Sequence, residues 1–401
     1  MNDTKKMLIF SHAMEIGGAE RALIGLLDSI DYTQYHVDLF LMRHDGDLLK
    51  YVNKNVNLLP ESSKYSSLAI PIKDVIKKRQ LGIAFGRCYG KLRARSFIRK
   101  KGINTTNDIA LEYSHKYTKF FMPLINPNIE YDLAVSFLTP HYFVADKVFA
   151  KRKIAWIHTD YSVLKVDRDS ELKMWSKYDN IVSISKNVTD AFTQIFPELS
   201  DRIILIENIQ PESFIRFQAE MISVDHEMPS TSTNLLSIGR FTYPKNFDNI
   251  PDICRRILDK GINVKWYIIG FGPDEALIKT KIKVANVQDN VIILGKKENP
   301  YPYIKKCDIY IQPSRYEGKA VTVTEAQMLG KPVIITNYST ANSQLKDGVD
   351  GIIVSMDNET CANDIISVIE DMDLRNKLIS NCKKREYSNK KEIYKLYSLI
   401  N

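Results

Sequence analysis

The sequence is sparing in the residues that staple or ligate, with 5 Cys, 7 His and 3 Trp in 401 residues. The cysteines, Cys88, Cys254, Cys307, Cys361 and Cys382, are scattered, odd in number and never spaced C-x-x-C. That excludes a disulfide framework and a cysteine-rich zinc site, and fits a reducing cytosol. No apolar run approaches the roughly 18 residues that span a bilayer. Met7-Leu8-Ile9-Phe10 is too short for the apolar core of an export signal, so the expectation is a chain that stays in the cytoplasm. With 17 Gly, 15 Pro, 44% hydrophobic and 26% charged residues, collagen-like and disordered classes are excluded as well. What remains is an ordinary globular chain, long enough for two or three domains of ~150 residues.

Net charge is +8, and it is local. The segment 73–101 holds eleven basic residues (Lys73, Lys77, Lys78, Arg79, Arg87, Lys91, Arg93, Arg95, Arg99, Lys100, Lys101) against one acid, Asp74, and so exceeds the excess of the whole chain. One anionic contact surface is expected rather than general polyanion binding, and no nucleic-acid partner. Leu81, Phe85, Cys88, Tyr89 and Leu92 recur at helical spacing between these cations, the pattern of an amphipathic basic helix lying on an anionic leaflet. A solvated helix face packed on its domain is the plainer alternative.

Apolar strands alternate with helical segments throughout. Lys6–Ser11, His36–Met42, Leu133–Phe137, Ile154–His158 and Ile181–Ser185 read as strands, with Ala19–Ile30 as a helix. Around 210–233 the pattern lapses into a polar stretch with Pro211 and Pro229, as in a linker, then restarts at Leu235–Ile238, Val264–Ile269, Val291–Leu294, Ile309–Gln312, Val333–Thr336 and Gly351–Val354. The fold class expected is α/β: two doubly wound Rossmann-like domains with a ligand cleft between them. The boundaries expected are 1–210 for an acceptor-binding domain, 211–233 for a linker, 234–380 for a nucleotide-sugar domain, and 381–401 for a C-terminal helix packing back toward the first domain.

Candidate functional residues gather where strands end. Pro313 to Ala326 follows a strand and leads into a helix, with seven residues between Glu317 and Glu325. A helix opening there directs free N–H groups at an anion, and Gly318 admits a ligand close to the backbone. Eight helical residues would separate the two carboxylates by ~12 Å, too far for a glycosidase pair. Gly239-Arg240 and Lys245 set two cations over the same strand ends, enough to clamp a diphosphate without a metal. Gly270 and Gly272 end another strand and suit packing under a nucleotide, though G-x-G alone is weak. In the first half, Gly17-Gly18-Ala19-Glu20-Arg21 forms a glycine-rich turn, and His158 ends a strand. Taken singly, each has a bland alternative: a tight turn, a solvated cation, a satisfied polar residue.

Taken in order, Gly17-Gly18-Ala19-Glu20-Arg21, His158, Gly239-Arg240 with Lys245, and Glu317-x7-Glu325-Ala326 with Gly330-Lys331-Pro332-Val333 resemble the retaining family-4 glycosyltransferases of the GT-B fold. Ser183-Ile184-Ser185-Lys186, Asn208 and Asn299-Pro300 agree. Bacterial capsule, exopolysaccharide and O-antigen enzymes are the most similar members, because they too have Glu-Gly-Lys; Lys319 and Ala320 stand where many members have an aromatic residue and glycine. The resemblance implies that Glu325 holds the donor ribose, that Glu317 contacts donor-sugar hydroxyls, and that Arg240 and Lys245 neutralise the diphosphate. It implies further that amides over Ala320, Val321, Thr322 and Val323, beside Gly318 and Lys319, meet sugar and phosphates. His158 would touch the donor sugar from the first domain, and Gly17 and Gly18 would lie beside the diphosphate and acceptor, with Gly239 and Gly270 also expected at the donor site.

The expected activity is a metal-independent retaining hexosyltransferase working from a nucleotide diphosphate sugar, UDP-linked by preference, toward a surface-polysaccharide or lipid-linked glycan acceptor. No cofactor is expected. Three Asp-x-Asp triplets (Asp45-Gly46-Asp47, Asp167-Arg168-Asp169, Asp371-Met372-Asp373) occur away from the cation cluster, so no catalytic metal is expected either. The expected location is cytoplasmic, peripheral on the inner face of the membrane. A UDP-sugar 2-epimerase-like isomerase of the same fold, or a catalytically silent partner of a transferase, are the alternatives.

Overall fold

The computed structural model describes residues 4–15, 17–102, 107–159, 161, 162, 164–317 and 320–400. The chain divides into two compact units, Met1–Pro211 with Ser388–Asn401, and Glu212–Tyr387.

In the first unit, strands β1 (Lys5–Ser11), β2 (Tyr35–Leu41), β3 (Asn57–Leu58), β4 (Tyr131–Ser136), β5 (Ala150–Ile157), β6 (Asn180–Ser183) and β7 (Ile203–Leu205) form one sheet in the order β3-β2-β1-β4-β5-β6-β7. Every pairing is parallel. Met7, Leu8, Ile9 and Phe10 are all fully buried, as a central strand covered on both faces requires, and this is why the strand reads as a continuous apolar run. The helix Gly18–Ser29 crosses from β1 to β2. A Cβ on its Gly25 would lie 2.0 Å from the Ile209 carbonyl oxygen, so the absence of a side chain lets the helix approach that stretch of backbone.

The second unit repeats the plan with β8 (Thr233–Ile238), β9 (Val264–Ile269), β10 (Val291–Gly295), β11 (Ile309–Gln312), β12 (Val333–Thr336) and β13 (Ile352–Val354), in the order β10-β9-β8-β11-β12-β13. Its core joins Trp266, Ile268, Ile309, Ile311 and Ile334 to Ile253, Cys254 and Ile365 from covering helices. Strand order reverses between β8 and β11. Connections there leave in opposite directions, which opens a crevice at the carboxyl ends of the strands.

Two expectations need correction. The stretch 211–233 is not all linker: Glu212–Glu220 is a helix of the second unit, burying Phe214, Ile215, Gln218 and Ala219 at helical spacing. The 381–401 helix is instead the end of a helix Met372–Lys384, a short turn at Lys390–Glu392 and a helix Ile393–Tyr397, and only Ser388 onward groups with the first unit. Tyr397 fastens it there, stacking on Tyr35 at 4.3 Å and accepting from the Asp31 amide at 2.8 Å. The basic segment forms the helices Ile72–Lys77 and Leu81–Lys101, and Leu81–Lys101 buries Ile83, Ala84, Gly86, Gly90 and Ala94. Leu81, Phe85, Cys88, Tyr89 and Leu92, the expected apolar face, are exposed.

Candidate active site

β8 and β11 lie side by side, so the loops that follow them share one end of the sheet. After β8 the chain passes Gly239 and the exposed Arg240 into a short turn, Tyr243–Lys245. Lys245 Nζ lies 2.5 Å from Glu317 Oε1. The same oxygen accepts from Ser314 Oγ at 2.7 Å and from Gln312 Nε2 at 3.3 Å. Glu317 is 10% exposed at its side chain and Lys245 25%. A carboxylate so enclosed is compensated by a cation and two neutral donors, which fixes its orientation while the ammonium keeps access to solvent. Behind it the polar layer continues: Tyr310 Oη is 2.8 Å from Gln312 Oε1 and 2.7 Å from Thr322 Oγ1. Thr340 donates to the Glu317 carbonyl at 2.6 Å, bringing in the loop after β12.

A clamp absent from the sequence reading holds the two loops together. Arg315 meets Asp248 through both guanidinium nitrogens, at 2.9 and 3.0 Å, and donates to the Tyr243 carbonyl at 2.6 Å. Its guanidinium stacks 4.2 Å from the Tyr243 ring centroid, and its amide donates to the Pro244 carbonyl at 2.8 Å. Lys281 shares Asp248 at 2.9 Å. A bidentate pair spanning loops 67 residues apart sets the register of Lys245 against Glu317. Nothing in local spacing announces such a pair.

Glu325 sits on the helix Val321–Met328, 1% exposed, and its Oε1 accepts from Tyr301 Oη at 2.9 Å. The helix starts only at Val321, so Glu317 precedes it and the expected eight-residue helical separation of the carboxylates does not apply. Of the amides expected to face a ligand, that of Ala320 donates to Gln344 Oε1 at 2.7 Å and that of Val323 to the Ala320 carbonyl at 3.1 Å. Gly318 and Lys319 lie outside the described residues. Gly270 has φ 151° and a Cβ there would fall 1.9 Å from the Gly239 carbonyl oxygen; Gly272, φ 158°, would strike the Phe241 carbonyl at 2.4 Å. Their conformational freedom is thus used for the approach of the β9 loop to the β8 loop.

In the first unit, Gly17 precedes the helix Gly18–Ser29, and a Cβ on it would meet only the end of the Glu20 side chain, whereas Gly18 faces open space. His158 follows β5, its ring 4.5 Å from that of Phe137. Burial lowers its pKa to about 4, so it is neutral at pH 7, and its Nε2 is buried with no hydrogen-bond partner. Other residues of the quoted motifs serve the fold. Ser185 accepts from the Val188 amide at the start of a helix, and Asn299 ties Gln218 to the helix Tyr301–Lys306. Asp167 and Asp371, from two of the Asp-x-Asp triplets, cap helices. Among the described residues no three His, Cys, Asp or Glu side chains converge as metal ligands.

Residues 219–385 match the family model of glycosyl transferases group 1. The match falls within the second unit. Over nearly the whole chain, 385 residues, the sequence is 24% identical to N-acetylgalactosamine-N,N'-diacetylbacillosaminyl-diphospho-undecaprenol 4-alpha-N-acetylgalactosaminyltransferase of Campylobacter jejuni, covering 95% of this chain and 94% of that one. It is 27% identical over 177 residues to the capsular polysaccharide biosynthesis glycosyltransferase CapM of Staphylococcus aureus, 43% of this chain and 47% of CapM. For several other curated relatives the match spans only 27% to 57% of their length. Among solved structures, Anabaena HepE in complex with UDP and glucose superposes with a TM-score of 0.63 at 14% identity, covering 98% of each chain. A S. aureus TarM structure superposes at 0.62 and 13% identity, over 99% of this chain and 100% of that one. The two parallel-sheet Rossmann-like units therefore match the GT-B fold of these structures.

Proposed function

We propose that the protein is a retaining, metal-independent glycosyltransferase that moves a hexose from a UDP-sugar to a surface-polysaccharide or lipid-linked glycan acceptor. The observation that carries this reading is the Lys245–Glu317 pair, held by Ser314 and Gln312 at the reversal of strand order between β8 and β11. A crevice at that point is where doubly wound sheets take nucleotides. Lys245 and the exposed Arg240 supply positive charge where a departing nucleoside diphosphate gains negative charge, and fixed cations stabilise that state more than the ground state. Glu317 is an acceptor for sugar hydroxyls, and Glu325, one helical stretch further, for the ribose. Val321 and Thr322 are the candidates for amides at the helix opening, and Gly318 and Lys319 are further candidate donor contacts. Gly239 and Gly270 keep the floor free of side chains. In the first unit, neutral His158 is the candidate for contact with the donor sugar, and Gly17 and Gly18 for contact near the diphosphate. The names of the Campylobacter relative and of CapM support a glycan acceptor, and the HepE complex supports UDP.

The same reading assigns an anionic membrane surface to the helix Leu81–Lys101. Its exposed Phe85 and Tyr89 continue through Phe121 and Tyr117 as an aromatic row, with ring centroids 6.3 and 4.7 Å apart at the two joins, flanked by exposed Arg93, Arg95 and Arg99. Arg87 is excluded from this role, because it donates to the Ser67 and Ile70 carbonyls. No helix among the described residues is long and apolar enough to cross a membrane.

The test is incubation with UDP-, GDP- and dTDP-hexoses, reading nucleoside diphosphate release and, by NMR coupling constants, the anomeric configuration of the product. Release of UDP with retention supports the proposal. An inverted product removes the retaining assignment, and a new UDP-sugar formed without an acceptor points to the isomerase.

A further inference from the structure

Around Glu317 the buried polar side chains are almost all accounted for. Ser314, Gln312, Tyr310, Thr322, Thr336, Thr340 and Gln344 each have a hydrogen-bond partner at 2.5 to 3.5 Å. Among the described residues of these loops, Tyr338 is the exception. It is 2% exposed, two residues beyond the end of β12, yet its hydroxyl is buried with no partner. Its backbone is fixed on both sides: its amide donates to the Thr336 carbonyl at 2.8 Å and its carbonyl accepts from the Ala341 amide at 2.8 Å. Thr340 joins this same turn to the Glu317 backbone at 2.6 Å. Burial first, and the charge of Glu317 second, raise the phenol's pKa, so the hydroxyl keeps its proton and Glu317 lies within electrostatic reach.

A phenol buried without a partner is costly, and a protein otherwise gains by phenylalanine at such a place. Where the same turn is tied to the loop of a proposed sugar contact, a ligand hydroxyl is the candidate for the missing partner. Resting on the donor-site reading above, we propose that Tyr338 is a specificity residue which, together with Glu317, reads one ring hydroxyl of the donor hexose. The carboxylate accepts that hydroxyl's proton in a hydrogen bond, and the phenol donates to its oxygen. A position that offers both an acceptor and a donor selects a hydroxyl, which is both, over a hydrogen or an ether at the same carbon.

The experiment compares the parent with Tyr338→Phe, which keeps the ring and removes only the oxygen. UDP release is measured with the best of UDP-glucose, UDP-galactose and their N-acetylamino counterparts, and with its 3-deoxy, 4-deoxy and 6-deoxy analogues. For the full donor kcat/KM is expected to fall about tenfold or more, while Kd for UDP alone stays at the parent value and Tm holds or rises. With one deoxy analogue, the parent and the variant should be equally slow, because the hydroxyl that Tyr338 reads is already gone. Parent-like kcat/KM in Tyr338→Phe overturns the inference and leaves the transferase reading standing. So does a fall of the same factor for every analogue, or a loss of UDP affinity and Tm together, either of which marks a structural role. A parent that releases nucleotide from no sugar donor overturns the transferase reading, and this inference with it.

Discussion

Replacing Lys245 by Met removes the ammonium and keeps most of the stem. In the structure this leaves the Glu317 carboxylate, 10% exposed, with Ser314 and Gln312 as its two remaining donors. Breaking a fully buried pair costs about 3 to 5 kcal/mol, but Lys245 is a quarter exposed and two donors persist, so about 1 to 2 kcal/mol of stability is expected to go. That leaves most molecules folded, because a domain holds about 5 to 15 kcal/mol. Turnover should suffer more. Removing a fixed group from a developing anion costs about 2.7 to 4 kcal/mol, or about a hundred- to a thousandfold in kcat. The two effects separate in a double variant. Glu317→Gln beside Lys245→Met no longer buries an unpaired charge, so the urea midpoint should recover toward the parent while UDP release stays slow. If turnover recovers with stability, Lys245 only shields Glu317 and the diphosphate assignment is wrong. Parent turnover in Lys245→Met alone refutes it outright.

UDP-sugar turnover is expected to survive EDTA, since Arg240 and Lys245 supply the positive charge; a strict manganese requirement would relocate the chemistry to one of the Asp-x-Asp triplets. Changing Arg93, Arg95 and Arg99 together to Ser should weaken binding to phosphatidylserine vesicles by about a hundredfold, at ~1 kcal/mol per cation, with donor hydrolysis preserved; unchanged sedimentation with vesicles would remove the membrane assignment. Glu171, buried against Tyr161 and Trp175, has its pKa raised to about 7, mainly by burial. The folded state thus holds a proton that the unfolded state releases near 4.5, so the Glu171 contribution to stability is fully present below about pH 4.5 and falls by about 3 kcal/mol as pH rises to about 7. In Glu171→Gln, urea midpoints at pH 5 and pH 7 should differ less than in the parent, and an unchanged difference would deny Glu171 that proton.

The sheet was legible because parallel strands buried on both faces leave uninterrupted apolar runs, as at Met7–Phe10 and Trp266–Ile269. β3 and β7 escaped notice because they are short strands at the edges of the sheet, where fewer neighbours demand apolar residues. The helix Glu212–Glu220 was hidden by its setting, since Pro211, Pro229 and the Ser/Thr-rich stretch outweighed the Phe214, Ile215, Gln218 and Ala219 spacing. At the site, Lys245 and Glu317 were visible because each follows a strand, and strand ends in a doubly wound sheet converge. Their partners were not. Arg315 reaching Asp248, and Thr340 and Gln344 reaching the 317–320 loop, depend on which strands adjoin, and a list of residues does not contain that order.

The helix Leu81–Lys101 shows the rule of apolar periodicity running in reverse. Leu81, Phe85, Tyr89 and Leu92 would ordinarily face a core, yet the packed side carries Ile83, Ala84 and the stripe Gly86, Gly90 and Ala94. A Cβ on Gly90 would fall 2.7 Å from the Tyr113 carbonyl oxygen and one on Gly86 3.0 Å from Thr118 Cα, so the neighbouring helix Asn107–Thr118 lies too near for any larger residue. Small residues at four-residue spacing let two helix backbones come together, and the large side chains on the same helix are then turned outward. Along 86–94, glycine spacing rather than hydrophobic spacing was the signal for the buried face. The consequence is energetic as well as geometric. Leu81, Phe85 and Leu92 are each more than 60% exposed, Phe120 is 71% exposed nearby in the chain, and cations lie between them, an arrangement that gains nothing in water. It gains on an anionic leaflet, where rings enter the interface and guanidinium groups stay at the phosphates, and a transferase acting on a lipid-linked acceptor would be held beside its substrate by that same contact.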